Sequence, residues 1–181
     1  VQVRLLLSKA YRRFKYRSAP FEIIGPAFNE FYHHRLPFAL TNAQKKVIRE
    51  IRSDLGRHIQ MNRLLQGDVG SGKTIVALLA MLMAIDNGYQ ACLMAPTEIL
   101  AQQHYESITT LLGNMDIRVA FLSGSVKGRK RSEVLEGLKD GSVHIAVGTH
   151  ALIEENVAFR KLGLSIVDEQ HRFGVAQRAS L

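Results

Sequence analysis

Gly67, Gly72, Lys73 and Thr74 stand in the order G-x-x-x-x-G-K-[ST] within the stretch Gln66 to Thr74, and each residue type answers a need of a bound phosphate chain. Glycines let the backbone curl until its N–H groups, those of Gly70 and Ser71 among them, point at phosphate oxygens. Lysine neutralises the β/γ charge, and the threonine hydroxyl is a ligand for Mg²⁺. Far downstream, the apolar run Leu164 to Val167 ends in two adjacent carboxylates, Asp168 and Glu169. In that position one carboxylate holds Mg²⁺ through water and the other takes a proton from an attacking water.

Three further sites carry two readings each. Thr41 and Gln44 fit the S/T-x-x-Q capping box, in which the glutamine amide returns to the cap. The same amide, a donor and an acceptor at once, suits the edge of adenine a short way upstream of a phosphate loop. Pro96-Thr97 closes an apolar run, so Thr97 is either a plain helix cap or a hydroxyl offered to a ligand at a strand end. After Ser123-Gly124-Ser125, four basic residues fall within Lys127 to Arg131; these form a solvated helix start or a grip on backbone phosphates.

These residues need a scaffold. Arg63 to Leu65 reads as a short buried strand, and Gln90 to Ala95, Arg118 to Leu122, His144 to Val147 and Leu164 to Val167 as four more strands. Helical patterns lie between them, after Thr41, over Ile75 to Asp86, Glu98 to Leu112 and Ser132 to Lys139. Alternation of this kind predicts an α/β fold, a mainly parallel sheet with helices on both faces. Residues 1–35 read as a helical N-terminal linker ahead of this lobe, which runs over 36–181. Within the linker, Val3, Leu6, Leu7, Ala10 and Phe14 recur at helical spacing, and Pro26 is the first residue of a short helix over Ala27 to His34.

Bulk properties narrow the function classes. The chain has 181 residues, 46% of them hydrophobic, enough for a real core. Its net charge of +8 suits an anionic partner, and six of the basic side chains lie in Val1 to Arg17 without an acidic one. No stretch approaches the roughly 18 to 20 apolar residues of a membrane span, so no membrane partner is expected. Cys92 is the only cysteine, which fits a reducing cytoplasm and leaves no disulfide framework or cysteine-based zinc site. The seven histidines form no metal-ligand array.

Taken in order, the phosphate loop, Ala95-Pro96-Thr97-Glu98, Gly148-Thr149-His150 and Asp168-Glu169-Gln170-His171 resemble the first RecA-like motor lobe of the superfamily-two helicases. Met61 to Thr74, Ala95 to His104, Gly148 to Ile153 and Asp168 to Gln177 are similar to the RecG family of branched-DNA translocases, and the resemblance covers about Leu36 to Leu181. It implies an ATP- and Mg²⁺-dependent motor that remodels stalled forks and Holliday junctions, with Gln44 on adenine. Lys73 and Thr74 would serve phosphates and metal, Asp168 the metal, and Glu169 the attacking water. Pro96, Thr97, Gly124, Thr149 and His150 would face DNA, while Gln170 and His171 couple nucleotide state to movement. The family also implies a wedge domain and a second motor lobe in the same longer protein, with the next strand of this lobe beginning after Leu181 and running between the phosphate-loop strand and the Asp168 strand. No oligomer is expected. Transcription-repair coupling factors have a similar lobe, including a stretch like Arg172 to Val175, but the sequence at 168–171 favours the RecG-like pattern. A nucleotide- or DNA-binding module without turnover is the alternative from another class.

Overall fold

The computed structural model of the chain describes residues 18–68 and 70–168. The expected basic helix over Val1 to Arg17, and Glu169, Gln170 and His171, lie outside the described residues. The chain forms two compact units, 1–87 and 88–181.

In the first unit, the short helix α1 (Pro26–Glu30) starts with its proline where a missing N–H costs nothing and runs into a π-helical turn, Phe31–Arg35. Its three free N–H groups are taken by one carboxylate. Asp86 accepts from the N–H groups of Gly25, Ala27 and Phe28 at 2.9–3.0 Å. Asn87 beside it exchanges two hydrogen bonds with the backbone of Ile23. Helix α2 (Asn42–Leu55) buries Val47, Ile48, Ile51 and Leu55 along one stripe. Helix α3 (Lys73–Asp86) is apolar nearly all round, and Leu78, Leu79, Met81, Leu82 and Ala84 are fully buried. A helix of that composition is stable only as a core helix. Both α1 and α2 pack against it.

One expectation fails here. Arg63 to Leu65 is not a strand. A strand exists only as half of a hydrogen-bonded pair, and none of the described residues pairs with this one. The segment is held instead by its arginine. Arg63, only 8% exposed, bonds Asp54 through Nε and Nη2 at 3.0 and 2.5 Å and Glu50 through Nη1 at 2.6 Å. Burial works against its charge, but the two carboxylates outweigh that and hold its pKa above the ordinary value.

The second unit is a parallel sheet of four strands: β1 (Gln90–Met94), β2 (Val119–Leu122), β3 (Ile145–Gly148) and β4 (Leu162–Val167), in spatial order β2-β3-β1-β4. Helix α4 (Glu98–Leu112) carries the chain from β1 out to the edge strand β2, and α5 (Gly128–Asp140) brings it back to β3. Right-handed crossovers running in opposite directions put the two helices on opposite faces. Side-chain contacts agree. Cys92, Met94, Ala120, Leu122 and Ala146 share a core with Leu138 of α5, while Phe121, one residue out of phase, meets Tyr105 of α4 at 5.7 Å between rings. The central strands β1 and β3 are buried along their whole length, as a sheet covered on both faces requires. Buried Cys92 has its thiol pKa pushed up, which leaves it an inert core residue.

Candidate functional site

The phosphate loop lies in the first unit, between the Arg63 clamp and α3. Thr41 caps α2 as expected. Its hydroxyl accepts from the Gln44 N–H at 3.2 Å, and Gln44 Oε1 accepts from the Thr41 N–H at 2.8 Å, completing the capping box. Gln44 does more than cap, because its Nε2 donates to the Ser71 carbonyl at 2.8 Å. An N–H on one side and a carbonyl on the other fix which end of the amide is which, so the side chain cannot be flipped. Two of its four hydrogen-bonding positions are used in this way.

Gly72 is the helix N-cap, at φ +78°, and its missing side chain leaves the space that Gln44 Nε2 occupies. A side chain there would be strained by the left-handed backbone and would also displace the glutamine. Among the described residues no side chain caps α3, so its N-terminal N–H groups and positive dipole end suit an anion. Lys73 Nζ is folded onto its own loop, donating to the Gly67 and Asp68 carbonyls at 2.7 and 2.8 Å. Ser71 Oγ is buried and has no hydrogen-bond partner among the described residues. Thr74 follows in the first turn of α3. A curled backbone, and, among the described residues, a helix start without a side-chain cap, a cation engaged by carbonyls and an orphaned hydroxyl together suit a phosphate chain.

In the second unit the parallel register decides which loops meet. Met94 is level with Gly148 and Val167, and Gly148 with Leu122. The segments after β1, β2, β3 and β4 therefore all leave one edge of the sheet, the carboxyl edge where open α/β sheets bind ligands. Pro96 and exposed Thr97 follow β1, and the Thr97 hydroxyl caps α4 by accepting from the Leu100 N–H at 3.3 Å. Gly124 is exposed between Ser123 and Ser125, whose hydroxyls are 2.9 Å apart, and Ser125 also donates to the Glu98 carboxylate. Gly148 is the one residue type β3 can end on, since a Cβ there would overlap the Leu122 carbonyl. Thr149 is buried, its N–H donating to the Leu122 carbonyl at 3.2 Å and its hydroxyl capping the 3-10 turn His150–Ile153. His150 is exposed at the start of that turn.

The basic run opens α5, with Lys127 at the N-cap position. Lys127, Arg129 and Lys130 are exposed, and the Arg129–Glu133 pair is too solvated to contribute much stability. Arg131 turns inward instead, pairing with Glu154 at 2.7 Å and reaching the Ser123 carbonyl at 3.5 Å. Glu98, Ser125, Ser123, Arg131 and Glu154 thus form one polar chain across three of the strand-end segments. The sequence holds no signal for it, because these residues share no spacing.

Asp168 directly follows β4, its N–H bonded to the Met94 carbonyl at 2.8 Å. Its carboxylate meets His104 of α4, with Nε2 and Oδ2 2.7 Å apart. His104 is a site residue that sequence reasoning did not single out. Its position seven residues after the Thr97 cap marks a helix face but nothing about a partner 64 residues away.

A family model described as DEAD/DEAH box helicase matches residues 41–181. Among curated proteins, the ATP-dependent DNA helicase RecG of Bacillus subtilis is 58% identical over 146 residues, covering 81% of this chain and 21% of that protein. The Aquifex aeolicus protein of the same name is 48% identical over 180 residues, covering 99% and 22%. The chain thus spans about a fifth of the length of these relatives. A solved structure of RecG bound to a three-way DNA junction matches 92% of this chain and 22% of its own, with 46% identity and a TM-score of 0.82. The UvsW helicase of bacteriophage T4, at 15% identity and a TM-score of 0.61, shares the fold. The chain therefore belongs to the DEAD/DEAH box helicase family and, within it, is similar to RecG.

Proposed function

We propose that this chain is the ATP-binding lobe of a motor that remodels branched DNA in the cytoplasm, within a longer protein that also supplies a wedge domain and a second lobe. The observation that carries the reading is the phosphate loop. Lys73 lies on two carbonyls that neutralise nothing, beside an uncapped helix start and the orphaned Ser71 hydroxyl. The β- and γ-phosphates are the natural partners for all three groups.

Gly67, Gly70, Ser71, Gly72, Lys73 and Thr74 would cradle the phosphates. Gln44 keeps one amide hydrogen and one lone pair beyond those it already uses, the complement of the adenine edge. Thr74 and Asp168 are the residues that would hold Mg²⁺, their hard oxygen donors fit it, and the ion would supply positive charge against the phosphates. Glu169 would accept the proton of the attacking water. On the DNA side, exposed Thr97, Gly124 and His150 would contact backbone phosphates from the common carboxyl edge. Pro96 and buried Thr149 would act by setting the loops that present them. Gln170 and His171 would report nucleotide state to the motor.

Steady-state ATP hydrolysis by the full-length protein and by the 181-residue chain, each with and without forked DNA at low salt, tests this reading. Forked DNA should stimulate the full-length protein strongly, and Lys73→Ala should abolish that response. The 181-residue chain should bind nucleotide weakly with little stimulation, since an arginine finger from a second lobe is typically worth about 10³ to 10⁵ in rate. Stimulation of the short chain to the full-length level would overturn the reading of it as half of a motor.

A further inference from the structure

We infer that His104 is a positioning residue for the Asp168 carboxylate, fixing which oxygen is left for Mg²⁺; this rests on the reading of Asp168 as a metal partner. A carboxylate only accepts hydrogen bonds, so the 2.7 Å contact puts a proton on His104 Nε2. One of the two lone pairs of Oδ2 is thereby taken and the carboxylate is held in one orientation, and among the described residues Oδ1 keeps both of its own for a hydrogen bond from water on a metal.

The geometry is stiff on both sides. The Asp168 backbone is tied to the Met94 carbonyl. His104 rides on α4, which is anchored by buried Ala101, Ile108 and Leu112 and by the Tyr105–Phe121 ring contact. An imidazole has only two side-chain torsions, so little freedom remains once the helix is packed. Without it, the carboxylate would turn about its last torsion and present either oxygen. A role in stability alone does not account for the pair. Both side chains are part-exposed, at 20% and 33%, and solvated pairs of that kind contribute little to folding. The contact also ties the candidate metal carboxylate to the helix whose first cap, Thr97, lies at the proposed DNA edge.

The experiment uses the full-length protein and a fluorescent mant-labelled β,γ-imido analogue of ATP, which is not hydrolysed. Analogue binding is followed while Mg²⁺ is titrated, for wild type, His104→Phe, His104→Ala, His104→Gln and Asp168→Asn. Loss of a group that orients a metal ligand typically weakens metal binding 10- to 100-fold, and because this ligand acts through water we expect roughly tenfold. His104→Phe, which keeps the bulk, and His104→Ala, which keeps the helix, should both raise the Mg²⁺ concentration for half-saturation by about that factor. Analogue affinity at saturating Mg²⁺ and the unfolding midpoint should stay at wild-type values. His104→Gln, which places an N–H near the same point, should restore most of the Mg²⁺ response. If both donor-free variants half-saturate at the wild-type Mg²⁺ concentration while Asp168→Asn does not, His104 has no positioning role. If Asp168→Asn is also unshifted, the metal assignment of Asp168 falls, and this inference with it.

Discussion

Gln44→Glu keeps the acceptor that the Thr41 N–H requires but turns the group facing Ser71 from a donor into a second acceptor. At neutral pH it sets an anionic oxygen against a carbonyl oxygen at the site of a 2.8 Å hydrogen bond. Losing that bond and leaving the carbonyl without a donor costs about 1–3 kcal/mol. Protonation of the new carboxyl supplies an O–H for the Ser71 carbonyl, so the folded protein favours the neutral form. Its folded pKa is therefore raised above the ordinary value of about 4.3. A raised value means that the stabilisation is fully present below the unfolded pKa and is lost as pH rises through the folded one. The stability gap between Gln44→Glu and wild type should accordingly close as pH falls from about 7 towards about 4.3. Gln44→Ala loses both bonds of the amide at every pH and should show a constant penalty of about 1–3 kcal/mol. Urea unfolding midpoints of the three proteins at several pH values read both quantities. A Gln44→Glu gap that stays flat with pH would show that Nε2 does not donate to the loop, and with it would go the argument that one amide braces both the α2 cap and the phosphate loop.

Arg63→Met removes a nearly buried guanidinium whose two carboxylate partners remain partly solvated, so urea unfolding should show a loss of about 1–3 kcal/mol rather than the larger penalty of a fully buried broken pair. Gly148→Ala drives a methyl group into the Leu122 carbonyl across the β2–β3 ladder; a loss of about 3 kcal/mol or more is expected in thermal unfolding, and a wild-type midpoint would refute that packing. Lys73→Ala should unfold like wild type, since among the described residues its Nζ meets two carbonyls of its own loop and no acid, yet fail to bind nucleotide in a fluorescence titration. Glu169→Gln in the full-length protein should bind ATP and DNA and lose turnover, because an amide keeps the shape but cannot take the proton; hydrolysis at the wild-type rate would place the base elsewhere.

Local patterns carried much of this protein. The phosphate loop is a contiguous run of eight residues whose chemistry depends on its own backbone, so Gly67 to Thr74 could be read without a fold. The Thr41–Gln44 box and the Thr97 cap depend on partners within four residues, and both formed as read; the proline-led start of α1 also formed, but its N–H groups are satisfied by the distant Asp86. Four of the five strands were legible as short apolar runs, a pattern that burial on both faces imposes on the central β1 and β3. Arg63 to Leu65 has the same apolar look and no ladder, since composition records what a segment can bury and not what pairs with it. The two readings of Gln44 were undecidable from spacing because the Ser71 carbonyl, 27 residues away, is brought to it by the packing of α2 on α3. Long-range register decided the rest. Only the level pairing of Leu122, Gly148, Met94 and Val167 sends four scattered segments out of one edge, and only the packing of α4 on the sheet, against β3 and β2, sets His104 against Asp168. Such contacts link residues by position in space, which a one-dimensional pattern does not contain.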